Sequence, residues 1–217
     1  MGRALREFYK GGFWHVVNRG VMKDNVFRSK DDYSFFLYRI KESLKKYPVD
    51  IHSFNFLPNH IHYLLGQSSD DNPSKFLASV HTSLSLFINR KYDRVGHLFQ
   101  NRCTVKDIKD DNHLLSVSFY VNLNKVLEKL QGFDRSKTVR EEDLEKLLTE
   151  AENDPWSSYP AVLGLRNDEI TNPDFLLSLL SSDKEEARQE YRKMAKEFIK
   201  SGHFLKTRDL NFEKVSD

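Results

Sequence analysis

Pro58-Asn59-His60-Ile61-His62-Tyr63-Leu64-Leu65 is the stretch from which the rest of the chain is read. It opens on a Pro-Asn turn signal, continues in aromatic and aliphatic residues and stops at Gly66, so it reads as a β-strand. Side chains alternate between the two faces of a strand. His60 and His62 therefore share one face, and Ile61 takes the other. Two imidazoles side by side on a rigid strand are able to hold a divalent cation. Histidine pairs are also ordinary polar residues of half-buried strands, and the spacing alone leaves both readings open.

Working outward, Ile51 to Leu57 alternates enough for a strand, and the Pro58-Asn59 turn joins it to the histidine strand as an antiparallel hairpin. His52, at the start of that strand, is expected in a structural or surface role. Upstream, Phe13-Trp14-His15-Val16-Val17-Asn18 is aromatic and β-branched, a further strand. Asn18-Arg19-Gly20 closes it, with Gly20 suited to a close backbone approach and Arg19 placed either to meet a phosphate or simply to sit in an exposed loop. Asp31-Asp32 is a capping signal for a helix whose apolar stripe is Tyr33, Phe36, Leu37, Ile40, Leu44 and Tyr47, ended by Tyr47-Pro48.

Downstream, Asp71-Asn72-Pro73 starts a second helix with Leu77, Val80, Leu84, Phe87 and Ile88 as its stripe. Leu98 to Lys106 reads as a fourth strand. Asp110-Asp111-Asn112 opens a third helix running from His113 to Lys125, on which Tyr120 and Asn124 stand one turn apart on one face. On its own, Tyr120 reads as a core aromatic with its hydroxyl at the surface. The order strand, helix, strand, strand, helix, strand, helix predicts an α+β fold. That fold is a ferredoxin-like antiparallel sheet with helices on one face, plus an extra helix.

Past residue 131 the composition changes. Arg140 to Leu148 is a charged amphipathic helix, Asp154-Pro155-Trp156-Ser157-Ser158-Tyr159-Pro160 a turn-rich anchor, Asn172-Pro173 the start of a helix to about Leu180, and Asp183 to Lys200 a long charged helix. The last residues read as a disordered tail. The expected organisation is a domain over residues 1–130 and a mainly helical C-terminal extension over 131–217.

Charge follows the same division. Residues 1–130 hold 20 Lys/Arg and 13 Asp/Glu, a balance of +7, and residues 131–217 hold 14 and 19, a balance of −5, which together give the net +2. A basic first part fits a polyanion such as nucleic acid, although solvated charged faces would give the same split. Arg90, Lys91, Arg94 and Arg102, with Tyr92 and Phe99 interleaved, form a candidate backbone-binding patch. No stretch approaches the roughly 20 apolar residues of a membrane span. The lone Cys103 excludes an internal disulfide and a multi-cysteine zinc site, and a quiet, partly buried thiol is its expected state. These features favour a cytoplasmic protein.

With these segments placed, the chain resembles the single-tyrosine HUH transposases of the IS200-like family, and within them the branch of REP-associated tyrosine transposases. His60-Ile61-His62 matches the histidine–hydrophobic–histidine motif. Phe13 to Gly20 matches the opening strand and turn, and Gly96-His97-Leu98-Phe99-Gln100-Asn101-Arg102 the approach to the fourth strand. Phe119-Tyr120-Val121-Asn122-Leu123-Asn124 matches the nucleophile helix, and Trp156-Ser157-Ser158-Tyr159 a tail motif of the branch. The matches run in order over residues 3–165. The family often follows the nucleophile helix with Asn-Pro and a nearby Gly; here Lys125 follows Asn124 and the next Gly is Gly132, so the helix is expected to continue.

The resemblance implies a metal-dependent single-stranded DNA endonuclease and strand transferase. Tyr120 would be the nucleophile, forming a 5′-phosphotyrosine link. His60, His62 and Asn124 would be the ligands of Mg²⁺ or Mn²⁺, and Asn18, Arg19, Arg90, Arg94 and Arg102 the DNA contacts. The implied partner is hairpin or palindromic-repeat DNA. The extension favours a self-contained monomer, while some relatives dimerise. Competing readings are a non-cleaving DNA-binding protein derived from a transposase, a replication-type nickase, and an unrelated metal hydrolase that uses water.

Overall fold

A computed structural model describes residues 8–67, 73–130 and 139–202. The N-terminal arm through Glu7, the Asp71-Asn72 helix start, Gly132 and the C-terminal tail lie outside these residues. The fold is α+β: a four-stranded antiparallel sheet with helices, followed by further helices. Packing divides the chain into two units, residues 1–51 with 56–108, and residues 52–55 with 109–217.

The first unit carries β1 (Phe13–Arg19), α1 (Lys30–Lys46), β3 (His60–Gly66), α2 (Pro73–Lys91), β4 (Thr104–Ile108) and the ends of β2 (Asp50–Phe56). Strand order is β2-β3-β1-β4, the ferredoxin-like order expected. β1 pairs antiparallel with β3, Arg19 opposite His60 and Val17 opposite His62, and with β4, Val17 opposite Thr104 and His15 opposite Lys106. Every residue of β3 is buried. On one face Tyr63 packs edge-on to Phe56 and Phe76, and Phe36 of α1 packs edge-on to Phe56. Phe35 stacks on Phe87 at 3.8 Å and joins α1 to α2. These side chains fill the core beneath α1 and α2, where aromatic pairs add to plain burial.

Three local expectations are refined. The N-cap of α1 is Ser29 rather than the Asp pair, and Asp32, in the first turn, accepts hydrogen bonds from the backbone N–H of Arg28 (2.8 Å) and Ser29 (2.9 Å). Gly20 has an ordinary φ of −59°, but a Cβ there would lie 2.2 Å from the Asp24 carbonyl oxygen, so its need is for space. The fourth strand starts late: residues 98–103 meet the end of β1 and the residues just after it through an isolated Gly20–Phe99 bridge and single hydrogen bonds, and regular pairing begins at Thr104. Gln100 N–H bonds the Arg19 carbonyl at the end of β1, and the chain must turn before it can run back along that strand.

The second unit holds α3 (Asp111–Lys129), α4 (Glu141–Glu152), α5 (Tyr159–Val162), α6 (Asp174–Ser178), α7 (Lys184–Ser201) and the middle of β2. Asp110 caps α3 by accepting from His113 N–H at 2.8 Å, and Asp183 caps α7 in the same way through Glu186 N–H. α3 does continue past Asn124, to Lys129, and Lys125 reaches the buried Asp154 carboxylate at 3.3 Å. Leu144 and Leu148 of α4 and Tyr191 and Ala195 of α7 are fully buried, and Arg192 of α7 bonds Glu145 and Glu152 of α4. His52 is structural: its Nδ1–H donates to the Asn172 carbonyl at 2.8 Å. Cys103 is buried, as expected of a quiet thiol.

Candidate active site

His60 and His62 are set by the hairpin that precedes them. Leu57 N–H bonds the His60 carbonyl at 2.9 Å across Pro58-Asn59, which fixes the strand's start and its side-chain parity. Both rings fall on the face they share with His15, Val17 and Arg19 of β1, since paired residues of neighbouring strands point to the same side. His60 is 6% exposed and His62 3%, with ring centroids 4.8 Å apart.

Each imidazole has its Nδ1 occupied. The Asn59 Oδ1 lies 2.6 Å from His60 Nδ1 and can only accept, so Nδ1 carries the proton and Nε2 the lone pair. His62 Nδ1 lies 3.1 Å from Nε2 of the buried His15, whose ring is stacked against it at 5.4 Å. Burial first, and then the neighbouring His60, His15 and Arg19, hold His62 well below the usual histidine range. A neutral imidazole with a free lone pair is the form that ligates a metal.

The donor set fits a divalent cation. Among the described residues, no group of three or more His, Cys, Asp and Glu side chains is arranged to hold one. Asn124, which the resemblance implies as a further ligand, belongs to the second unit. It lies on α3 one turn after Tyr120; Tyr120 is 7% exposed and Asn124 3%.

Between these two stands Asn122, where α3 is anchored. Its Nδ2 donates to the Tyr191 hydroxyl (2.9 Å) and to Ser53 Oγ (3.2 Å), and its Oδ1 accepts from Ser158 Oγ at 2.5 Å. Its carbonyl accepts from Ser157 Oγ and Asn55 Nδ2. Ser158 also bonds Phe54 N–H of β2. The two serines of the tail motif thus hold the backbone and side chain of the residue between Tyr120 and Asn124.

The basic candidates separate. Arg19 is opposite His60, on the histidine face. Arg102 is exposed just beyond the Gln100–Arg19 contact, Arg90 is exposed in the last turn of α2, and Arg94 is half-buried 3.8 Å from Asp24. Asn18 points the other way: it is buried and its amide donates to His81 Nδ1 of α2 at 3.3 Å. Sequence reading gave no role to His15, because the register that brings it to His62 is set by pairing between distant strands. Lys106 stands opposite His15 through pairing of the same long-range kind.

The first unit thus carries a buried histidine pair on a central strand of the sheet, and the second a helix with a buried tyrosine. The structure of a REP-associated tyrosine transposase bound to a REP hairpin shares the fold, with TM-score 0.56 at 16% identity over 79% of this chain and 92% of that one. A transposase candidate from Deinococcus radiodurans r1 aligns at TM-score 0.39 and 9% identity, over 60% of this chain and 97% of that one, and is too distant to add to this. No curated protein matches the chain. The model of the family described as "Transposase IS200 like" matches residues 10–124, and the chain belongs to that family.

Proposed function

We propose that the protein is a metal-dependent endonuclease and strand transferase for single-stranded, hairpin-containing DNA. Residues 1–130 are its catalytic part and 131–217 a helical extension. The observation that carries this reading is the pair of buried imidazoles on one face of β3, each with a polar partner at Nδ1. His60, His62 and Asn124 would hold Mg²⁺ or Mn²⁺, two nitrogens favouring Mn²⁺ and an amide oxygen suiting either. When bound, the cation supplies charge neutralisation at the scissile phosphate.

In this reading the Tyr120 hydroxyl attacks phosphorus. A P–O bond to tyrosine forms and the bond to the 3′ oxygen breaks. The phenolic proton is lost to solvent, the leaving oxygen gains one, and a 5′-phosphotyrosine and a free 3′-hydroxyl result. Reversal by another 3′-hydroxyl rejoins strands without an energy source, because the ester bond is conserved. Arg19, Arg90, Arg94 and Arg102 are assigned to the DNA backbone. Asn18 would contribute only by holding the end of β1. The protein would work in the cytoplasm, as a monomer braced by its extension.

A second reading, a hairpin-binding protein that no longer cuts, draws on the replacement of the family's Asn-Pro by Asn124-Lys125 and on the burial of Tyr120. A denaturing gel of the protein with labelled single-stranded hairpins, in Mn²⁺, Mg²⁺ or EDTA, separates the two. The first reading expects a protease-sensitive shifted band that requires metal and is lost in Tyr120→Phe. Binding without adduct under every metal would establish the second. Cleavage that survives Tyr120→Phe would make water the nucleophile.

A further inference from the structure

A ring nitrogen can hold a metal only if its proton is on the other nitrogen, and a ligating histidine usually donates that other N–H to a nearby acceptor. In β3 each candidate ligand has a polar atom within hydrogen-bond reach of its Nδ1 inside the first unit, through different partners. His60 uses its own neighbour, with Asn59 Oδ1 2.6 Å from Nδ1. His62 uses the adjacent strand. His15, opposite Leu64, is one pleat removed from Val17, which is opposite His62, and the diagonal brings its Nε2 to 3.1 Å from His62 Nδ1. His15 is 1% exposed, and its ring stacks on His62 with an interplanar angle of 24°. It is not itself grouped with the pair as a third ligand.

We infer that His15 and Asn59 are positioning residues: each accepts the Nδ1–H of one histidine and so presents both Nε2 lone pairs to a divalent cation. This rests on the metal-binding reading above. It assigns His15 the Nδ1–H tautomer, in which its Nε2 is the acceptor. A metal on His62 Nε2 puts the proton on His62 Nδ1, and the two requirements agree. The device is local to β1, β3 and their turn.

The test is Mn²⁺ affinity of the full chain without DNA, followed by electron paramagnetic resonance of free Mn²⁺. The variants are His15→Leu, His15→Gln, Asn59→Ala and Asn59→Asp, with His60→Ala as reference. Removing an acceptor should weaken binding by about 10- to 100-fold. His15→Gln and Asn59→Asp keep an acceptor oxygen and should recover most of it. In the metal-free protein, ¹⁵N spectra should show the Nδ1–H form of His62, lost in His15→Leu and kept in His15→Gln. Unchanged affinity in His15→Leu and Asn59→Ala, with His60→Ala impaired, would overturn the inference while leaving the metal reading intact. Equal losses in the acceptor-retaining variants would also overturn it, because they would mark a packing role. Absence of Mn²⁺ binding in the wild type, or binding unaffected by His60→Ala, would overturn the metal reading and this inference together.

Discussion

Asn122 Nδ2 donates to the Tyr191 hydroxyl at 2.9 Å, and through this contact the helix that carries Tyr120 is tied to α7. The same hydroxyl bonds Ser118 Oγ at 2.9 Å, so one phenol serves two positions a turn apart on α3. The network lies wholly in buried surroundings, where a lost partner costs more than the bond gains.

Tyr191→Phe should therefore lower stability by about 1 kcal/mol, because Asn122 and Ser118 each keep a second partner. Asn122→Ala removes one partner each from Tyr191, Ser53 and Ser158 at once, although Tyr191 keeps Ser118 and Ser158 keeps Phe54, and should cost more, about 2–3 kcal/mol. Urea unfolding curves of the three proteins check both figures, and equal midpoints would show that the network does not brace the helix.

Burial, only partly offset by hydrogen bonds with Ser118, Asn122 and Ser53, pushes the Tyr191 hydroxyl up to about 12. The unfolded chain loses this proton near pH 10 and the folded protein holds it longer. The contribution is complete below pH 10 and is lost as pH rises from about 10 to 12. Burial also raises Tyr159, which acts in the same sense. Thermal midpoints should fall over this alkaline range, and the slope should flatten in Tyr191→Phe.

Asp32 predicts the opposite limb. Burial raises its carboxyl, but hydrogen bonds from Lys91, the backbone of Arg28 and Ser29, and Tyr92 outweigh this and bring it below the usual carboxylate range. Its stabilisation is present above about pH 4 and is lost as pH falls through the depressed value. Asp32→Ala should cost about 1–3 kcal/mol at neutral pH and remove part of the acid sensitivity. A pH series of melting curves for wild type and variant would expose a shared acid limb if the assignment were wrong.

Gly20→Ala should destabilise by about 1–3 kcal/mol, an overpacking cost, since the clash is with the Asp24 backbone and not with a movable side chain. Gly20 N–H also bonds the Asn59 carbonyl at 2.9 Å, so the shift would reach the turn before His60. A melting temperature equal to wild type would mean the Asp24 backbone yields freely.

Because Arg90 and Arg102 are proposed to contact the DNA backbone, Arg90→Ala and Arg102→Ala should each weaken hairpin binding about equally across sequences and lower the salt slope by about 0.7–0.9. Asn18→Ala should leave the slope unchanged, because its side chain is turned to His81. Affinities measured over a range of salt concentrations decide both, and a slope change in Asn18→Ala would bring that residue back to the interface.

The strand alternation that puts His60 and His62 on one face is a local property, and it was legible from five residues. So were the helices whose caps or stripes lie within a few turns, α1, α2 and α7. What escaped depends on partners far away in sequence. His15 meets His62 through a register 47 residues long. The late start of β4 follows from where the chain crosses the end of β1. On α3 every residue from Val117 to Asn124 is buried, so no amphipathic stripe distinguishes functional from packed positions. The tail serines read as a turn-rich anchor, but their target was invisible from a motif alone.

That anchor has a consequence in time. Ser158 lies 36 residues beyond Asn122 and Tyr191 lies 69 beyond it. At about 5–20 residues per second, ribosomal synthesis needs several seconds to deliver them. During that interval the newly made α3 has its upstream partners, Ser53 and Asn55, but not its downstream ones. The helix proposed to cut DNA is thus completed late in translation, and a chain interrupted before residue 158 would expose a buried polar face to chaperones and proteases.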